Sequence, residues 1–134
     1  MLWRLLPELP HSCLSVVMLR RMAAGETLAS ERAPALTICD QWDAAVAIVT
    51  IHGEIDISTV GTLSEHLGDL ARKNPRRLVI DLAGVSFIDS SGVSGFARVR
   101  KALPPDCPVV IRSAQRRIRQ VFTLTGLDSV LVFE

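Results

Sequence analysis

The stretch LVIDLAGVSFIDSSGVSGF, residues 78–96, is where the fold is decided. It opens with an apolar run, Leu78 to Leu82, broken only by Asp81, and a run apolar on both faces fits a strand covered from both sides. At Asp89-Ser90-Ser91-Gly92 the sequence turns polar. Beyond it Phe96, Val99 and Leu103 recur at helical spacing, predicting a helix over about residues 91–103. Arg98, Arg100 and Lys101 load the outer and C-terminal part of that helix, where cations suit the dipole. Pro104-Pro105 stops it. A buried strand running straight into a helix is half of a β-α-β unit, so a parallel neighbour is expected.

The same alternation extends outward. Upstream, ALTIC (residues 35–39) and the β-branched VAIVTIHG (residues 46–53) read as two strands joined by a short turn, a hairpin at the sheet's edge. Val60, Leu63, Leu67 and Leu70 then mark an amphipathic helix. Asp56, Ser58 or Thr59 can cap its start, and Thr62 with Glu65 fits a capping-box spacing. Gly61 and Gly68 weaken it, and Asn74-Pro75 ends it. Downstream, PVVIRS (residues 108–113) is a buried-type strand. Ile118, Val121, Phe122 and Leu124 share one side of a following helix, with Gly126 as its C-cap. VLVFE closes the chain as a short strand. The predicted order is β-β-α-β-α-β-α-β, a single α/β domain with a mostly parallel sheet, one antiparallel hairpin and right-handed crossovers.

The 134 residues fit one domain, and a hydrophobic fraction of 49% is enough for a core. The formal net charge of +1 argues against a nucleic-acid binder, whose affinity would need many phosphate contacts. Arg112, Arg116, Arg117 and Arg119 are a local basic exception, read as a solvated helix face rather than a phosphate patch. Cys13, Cys39 and Cys107 match no zinc or CxxC pattern, and their odd number argues against a disulfide framework. They read as reduced thiols, which suits a cytosolic protein. His11, His52 and His66 form no HxxxH pair, and neither metal nor cofactor is expected.

Residues 1–34 have a different texture. Their longest clean apolar run, residues 13–19, is too short for a bilayer, and Arg20-Arg21 follows that run, the wrong order for a signal peptide. The expectation is a flexible extension or a start placed too early, with Met18 and Met22 as alternative starts and residues 26–34 as linker. Deleting residues 1–22 is then expected to leave the core, residues 35–134, with its cooperative thermal transition.

Functional groups in open α/β sheets gather where strands turn into helices. Asp89-Ser90-Ser91-Gly92 stands at such a junction, where free first-turn amides and about half a positive charge favour a phosphoryl group. Gly92 removes bulk beside the hydroxyls. Local chemistry leaves two readings open, a helix cap and a phosphoacceptor. Gly-x-Ser-x-Gly fails at Ser94 because Phe96 stands in the last position, and the phosphate loops GxxxxGK[ST] and GxGxxG are absent.

Three segments in order, GEIDISTVGTL (residues 53–63), residues 78–96, and VFTLTGLDSVLVF (residues 121–133), resemble a STAS domain. More narrowly they resemble the bacterial anti-sigma factor antagonists, over about residues 35–134. The resemblance implies a non-enzymatic, cofactor-free cytoplasmic switch. In that family the antagonist binds an anti-sigma factor that is also a serine kinase, which frees the sigma factor. The kinase then phosphorylates a serine of the D-S-[ST]-G motif, the phosphoprotein lets go, and a phosphatase resets it. The resemblance assigns phosphorylation to Ser91, the second residue after Asp89, and partner contacts to Glu54, Asp56, Asp89, Ser90, Ser91 and Gly92. It implies neither direct nucleic-acid contact nor a membrane. The alternative is a STAS adaptor of a transport system or signalling assembly that works without phosphorylation. The sequence departs from the family in its N-terminal extension and in a closing helix that is expected to be missing or very short. A sheet face or edge is thereby left open for the extension or a partner to cover.

Overall fold

The structure, a computed structural model, describes residues 12–14 and 36–134; the readings placed on residues 1–11 and 15–35 lie outside the described residues. The expected core is present as β2 (Leu36–Asp43), β3 (Val46–Ile55), α1 (Val60–Arg72), β4 (Arg77–Ile88), α2 (Ser90–Ala102), β5 (Val109–Arg112), α3 (Arg116–Leu124) and β6 (Val132–Phe133). A further short strand, β1 (Ser12–Leu14), pairs antiparallel with β2. It was not expected, because three residues carry no readable period.

The sheet has six strands in chain order, β1 to β6. β2 and β3 form the antiparallel hairpin, with Asp43 opposite Val46 and Ala44 in the left-handed region at φ 56°. β3, β4, β5 and β6 run parallel side by side. Three right-handed crossovers that all step the same way put α1, α2 and α3 on one face. Cover on both sides of β4 was expected. Among the described residues, helices cover only one.

On the helix-covered face Ile38, Val49, Ile51, Ile80, Leu82 and Ile111 meet Leu63, Leu67 and Leu70 of α1, Phe96 and Val99 of α2, and Ile118 and Phe122 of α3. Each such side chain contributes roughly 1.5–3 kcal/mol when fully buried. Phe96, Phe122 and Phe133 stack edge to face at 5.4 Å between successive centroids, joining α2, α3 and the last strand. α1 and α2 approach closely at Gly95, where a Cβ would stand 2.8 Å from Val60 Cγ2 and 3.0 Å from Ser64 Oγ. A polar pair, part-buried His66 Nε2 to buried Asp40 Oδ1 at 3.1 Å, ties α1 to β2.

Four readings change. Leu124 is not on the buried side of α3 but 85% exposed, because the helix ends there; Ile118 and Phe122 are buried and Val121 packs partly buried against the core. α1 begins at Val60 with Thr59 as its N-cap, so Thr62 and Glu65 lie inside the helix and form no capping box. Arg100 does more than offset the helix dipole, since its guanidinium donates to the carbonyls of Cys107 (2.9 Å) and Pro104 (2.7 Å) and fastens the α2–β5 connection. Finally, the cysteines are not all reduced thiols. Cys39 is disulfide-bonded, the register sets Cys13 opposite it, and Cys107 is free and buried. Gly126 adopts φ 82° just past the C-cap of α3, as its left-handed position requires.

Candidate functional site

The parallel strands β3 and β4 end side by side, with Glu54 opposite Phe87 and Ile55 opposite Ile88. Their carboxyl ends carry the two loops singled out in the sequence, and a backbone bond joins those loops. The amide of Asp89 donates to the carbonyl of Ile55 at 3.2 Å. The Gly-Glu-Ile-Asp turn therefore lies beside the Asp-Ser-Ser-Gly turn, as the resemblance implied.

At the second turn Asp89 is the N-cap of α2, in an extended conformation, and its carboxylate accepts the Gly92 amide at 3.1 Å. This is the capping reading of the motif, and it belongs to Asp89. Ser90 and Ser91 occupy the first two helical positions, where backbone amides lie outside the intrahelical ladder. Ser90 is exposed and Ser91 is half-buried. Gly92 is buried, and a Cβ there would fall 2.6 Å from Ile55 Cγ2 and 2.7 Å from Ile88 Cγ1. Its smallness lets α2 start directly against the end of β3. Gly92 thus contributes close packing and not an accessible contact.

At the first turn Asp56 folds back on its own loop. Its Oδ1 accepts from the Ser58 hydroxyl (2.6 Å) and from the amides of Ser58 (2.9 Å) and Thr59 (3.2 Å). The Thr59 hydroxyl, buried, donates to the Glu54 carbonyl at 2.9 Å and accepts from the Asp56 amide at 2.9 Å. The hydrogen bond from the Ser58 hydroxyl, outweighing partial burial, holds the Asp56 carboxyl below its ordinary range. Asp56 is therefore committed to local structure, whereas Glu54 stands exposed at the rim.

Two rim residues were missed in the sequence. Ile57 is 78% exposed at the tip of the β3–α1 loop, and Phe87 is 47% exposed on β4 beside Glu54. Ile57 carried a weak signal, an apolar residue between Asp56 and Ser58. Phe87 could not be read outward, because register shifts between Thr50 and His52 and between Gly53 and Glu54 break the period-2 pattern. The rim thus joins two hydroxyls, an exposed carboxylate and two exposed apolar side chains. Among the described residues no three His, Cys, Asp or Glu side chains converge as metal ligands, and no helix is long and apolar enough to cross a membrane.

Residues 41–134 match the family model of the STAS domain, and the chain belongs to that family. Curated relatives to which it is similar are named anti-sigma factor antagonists. It is 34% identical over 83 residues to the anti-sigma-F factor antagonist RsfB of Mycobacterium tuberculosis, an alignment covering 62% of this chain and 68% of that protein. It is 33% identical over 84 residues to the anti-sigma-B factor antagonist of Staphylococcus aureus, covering 62% and 78%. The crystal structure of an anti-sigma factor antagonist from Mycobacterium paratuberculosis superposes with a TM-score of 0.69 at 28% identity, over 73% of this chain and 84% of that one.

Proposed function

We propose that this protein is an anti-sigma factor antagonist acting in the cytoplasm. Its rim binds an anti-sigma factor that is also a serine kinase and so frees a sigma factor, and phosphorylation in the Asp89–Gly92 turn ends the complex. The protein is a switchable ligand and a kinase substrate, not an enzyme, and a phosphatase restores it. The observation that carries this reading is the placement of two serine hydroxyls on a capped helix N-terminus, flanked by exposed Glu54, Ile57 and Phe87.

The physics of such a switch is direct. A phosphate adds about 1.5–2 negative charges and three acceptor oxygens. Beside Glu54, Asp56 and Asp89 that charge disfavours burial against a partner, and about 2.7 kcal/mol of lost affinity is a hundredfold in binding. The fold tolerates it, because the first-turn amides of α2 favour an anion. Ser91 is the acceptor the family pattern assigns. A second reading favours Ser90, the more exposed hydroxyl, with Ser91 as the neighbour that packs the turn.

The test is a pull-down from the source cells with wild type, Ser90→Ala, Ser91→Ala, Ser90→Glu and Ser91→Glu, followed by phosphosite mapping after the captured proteins are given ATP. A protein kinase captured by wild type and Ser91→Ala but lost with Ser91→Glu, with phosphate mapped to Ser91, is the expected result. Loss with Ser90→Glu alone moves the switch to Ser90. Equal capture by all five proteins defeats phosphorylation switching and leaves the adaptor role.

A further inference from the structure

Of the four arginines in the local basic exception, two are engaged. Arg112 pairs with Asp81 at 3.4 Å, and Arg119 lies 5.1 Å over the ring of Phe133. Arg116 and Arg117 stand exposed in the first turn of α3, and no ion pair holds either among the described residues. A cation there opposes the helix dipole, whose N-terminal end is positive. α3 carries no acidic residue to offset it. Its N-cap, Gln115, turns its side chain to β4 instead and donates to the carbonyls of Ala83 and Val85. Local stability therefore does not account for these two arginines.

The neighbouring helix adds charge of the same sign. α2 meets α3 through Phe96 and Phe122. It too has no acidic residue, and Arg98 and Lys101 are exposed on it, three positions apart and so on one side. Gln115 holds the start of α3 level with Val85, short of the rim where α2 starts, so the first turn of α3 lies beside the body of α2. Arg98, Lys101, Arg116 and Arg117 thus form one cationic surface. Leu124, 85% exposed, stands seven residues beyond Arg117, about two turns on and on the same side.

The rim has the opposite character. Its turns, residues 53–59 and 86–92, carry Glu54, Asp56 and Asp89 and no Lys or Arg, with Ile57 and Phe87 exposed among them. A chain of net charge +1 therefore keeps an acidic end and a basic helix face, each with exposed apolar side chains. Both belong to one folded domain, so they meet only when two copies do.

We propose that the acidic rim of one copy docks on the α2–α3 face of a second copy, with Glu54 toward Arg116 and Arg117, and Ile57 and Phe87 against Leu124. The contact joins two different patches, so every copy offers both halves and association runs head to tail. It goes beyond the anti-sigma reading and does not depend on it. Because it occupies the same rim, self-association and capture of that partner compete.

The test is sedimentation equilibrium of the purified full chain, with no other protein present. The average mass is expected to rise above 14.6 kDa with concentration in about 0.01 M salt. The association constant is expected to fall at least tenfold in about 1 M salt, where the Debye length is about 3 Å. Arg116→Glu with Arg117→Glu removes the face and leaves the rim, whereas Glu54→Lys with Ile57→Lys removes the rim and leaves the face. All four positions are exposed, and acidic residues suit the first turn of a helix, so both variants keep the fold, which their thermal melts verify. Each variant alone should stay monomeric. An equal mixture should form dimers and stop there, because each pair holds one intact contact. A wild type that keeps the monomer mass up to about 1 mM overturns the proposal. So does association that either variant retains alone, and so does a mixture that stays monomeric, which assigns the contact to like patches.

Discussion

The amide of Asp89 donates to the carbonyl of Ile55, and the Ile55 side chain lies where a Cβ on Gly92 would fall. Backbone and side chain of one residue thus lock the end of β3 to the start of α2. Whatever meets Glu54 meets Ser90 and Ser91 at a fixed distance, so the rim presents its groups as one rigid surface.

The cap on this turn has a measurable weight. Asp89→Ala removes the acceptor of the Gly92 amide and is expected to lower stability by about 1 kcal/mol. Asp89→Asn keeps an acceptor oxygen and should restore most of it. Urea unfolding of the three proteins checks this, and equal loss in both variants would assign the effect to the charge instead of the hydrogen bond.

Glycines in the helices divide into two groups of opposite sign. At Gly92 and Gly95 a Cβ meets side chains at 2.6–2.8 Å, and Ala there is expected to cost about 1–3 kcal/mol by overpacking. At Gly68 nothing stands within 4 Å, and Ala is expected to stabilise by about 0.5–1 kcal/mol. Thermal melts of the three single variants test it. A destabilised Gly68→Ala would contradict the open space seen there.

Much of the fold was readable because local and global signals agree. Leu78 to Leu82 reads as a strand, Phe96 and Val99 mark a helix face, and Asp89 stands at the cap between them. Features that depend on distant chain segments were not readable. Asp40 and His66 are 26 positions apart and meet only once α1 packs on β2. Phe87 faces outward because β4 shifts register against β3, which no alternation pattern reveals. The two readings of the Asp-Ser-Ser-Gly turn proved compatible, since capping falls to Asp89 and leaves both hydroxyls at the rim.

Asp56 gives the loop beside the Asp89–Gly92 turn an acid sensitivity. Its folded carboxyl titrates below the ordinary value of 3.8 because the Ser58 hydroxyl and two amides bond the charged form. A group whose pKa is lowered on folding stabilises the fold fully above its unfolded value and loses that contribution as pH falls through the folded one. The stability advantage of wild type over Asp56→Asn should therefore be constant near neutrality and shrink below about pH 3.8. Asn retains an oxygen for the same amides without a titrating proton, so it isolates the charge. Urea midpoints measured from pH 6 to pH 3 supply the comparison, and a constant difference across that range would remove Asp56 as the cause.

The exposed apolar pair at the rim separates binding from folding. Ile57 is 78% exposed, so Ile57→Ala is expected to change stability by no more than about 0.5 kcal/mol. Phe87→Ala removes a half-exposed ring and should cost far less than Phe96→Ala, where loss of a buried phenylalanine costs about 3–5 kcal/mol. If the rim docks the anti-sigma factor, both rim variants should weaken that complex by about tenfold or more, because apolar anchors beside a polar contact carry a disproportionate share of binding. Affinity for the captured kinase, measured by titration calorimetry beside the thermal midpoint of each variant, distinguishes the two effects. Unchanged affinity in both Ile57→Ala and Phe87→Ala would move the docking surface away from the carboxyl ends of β3 and β4.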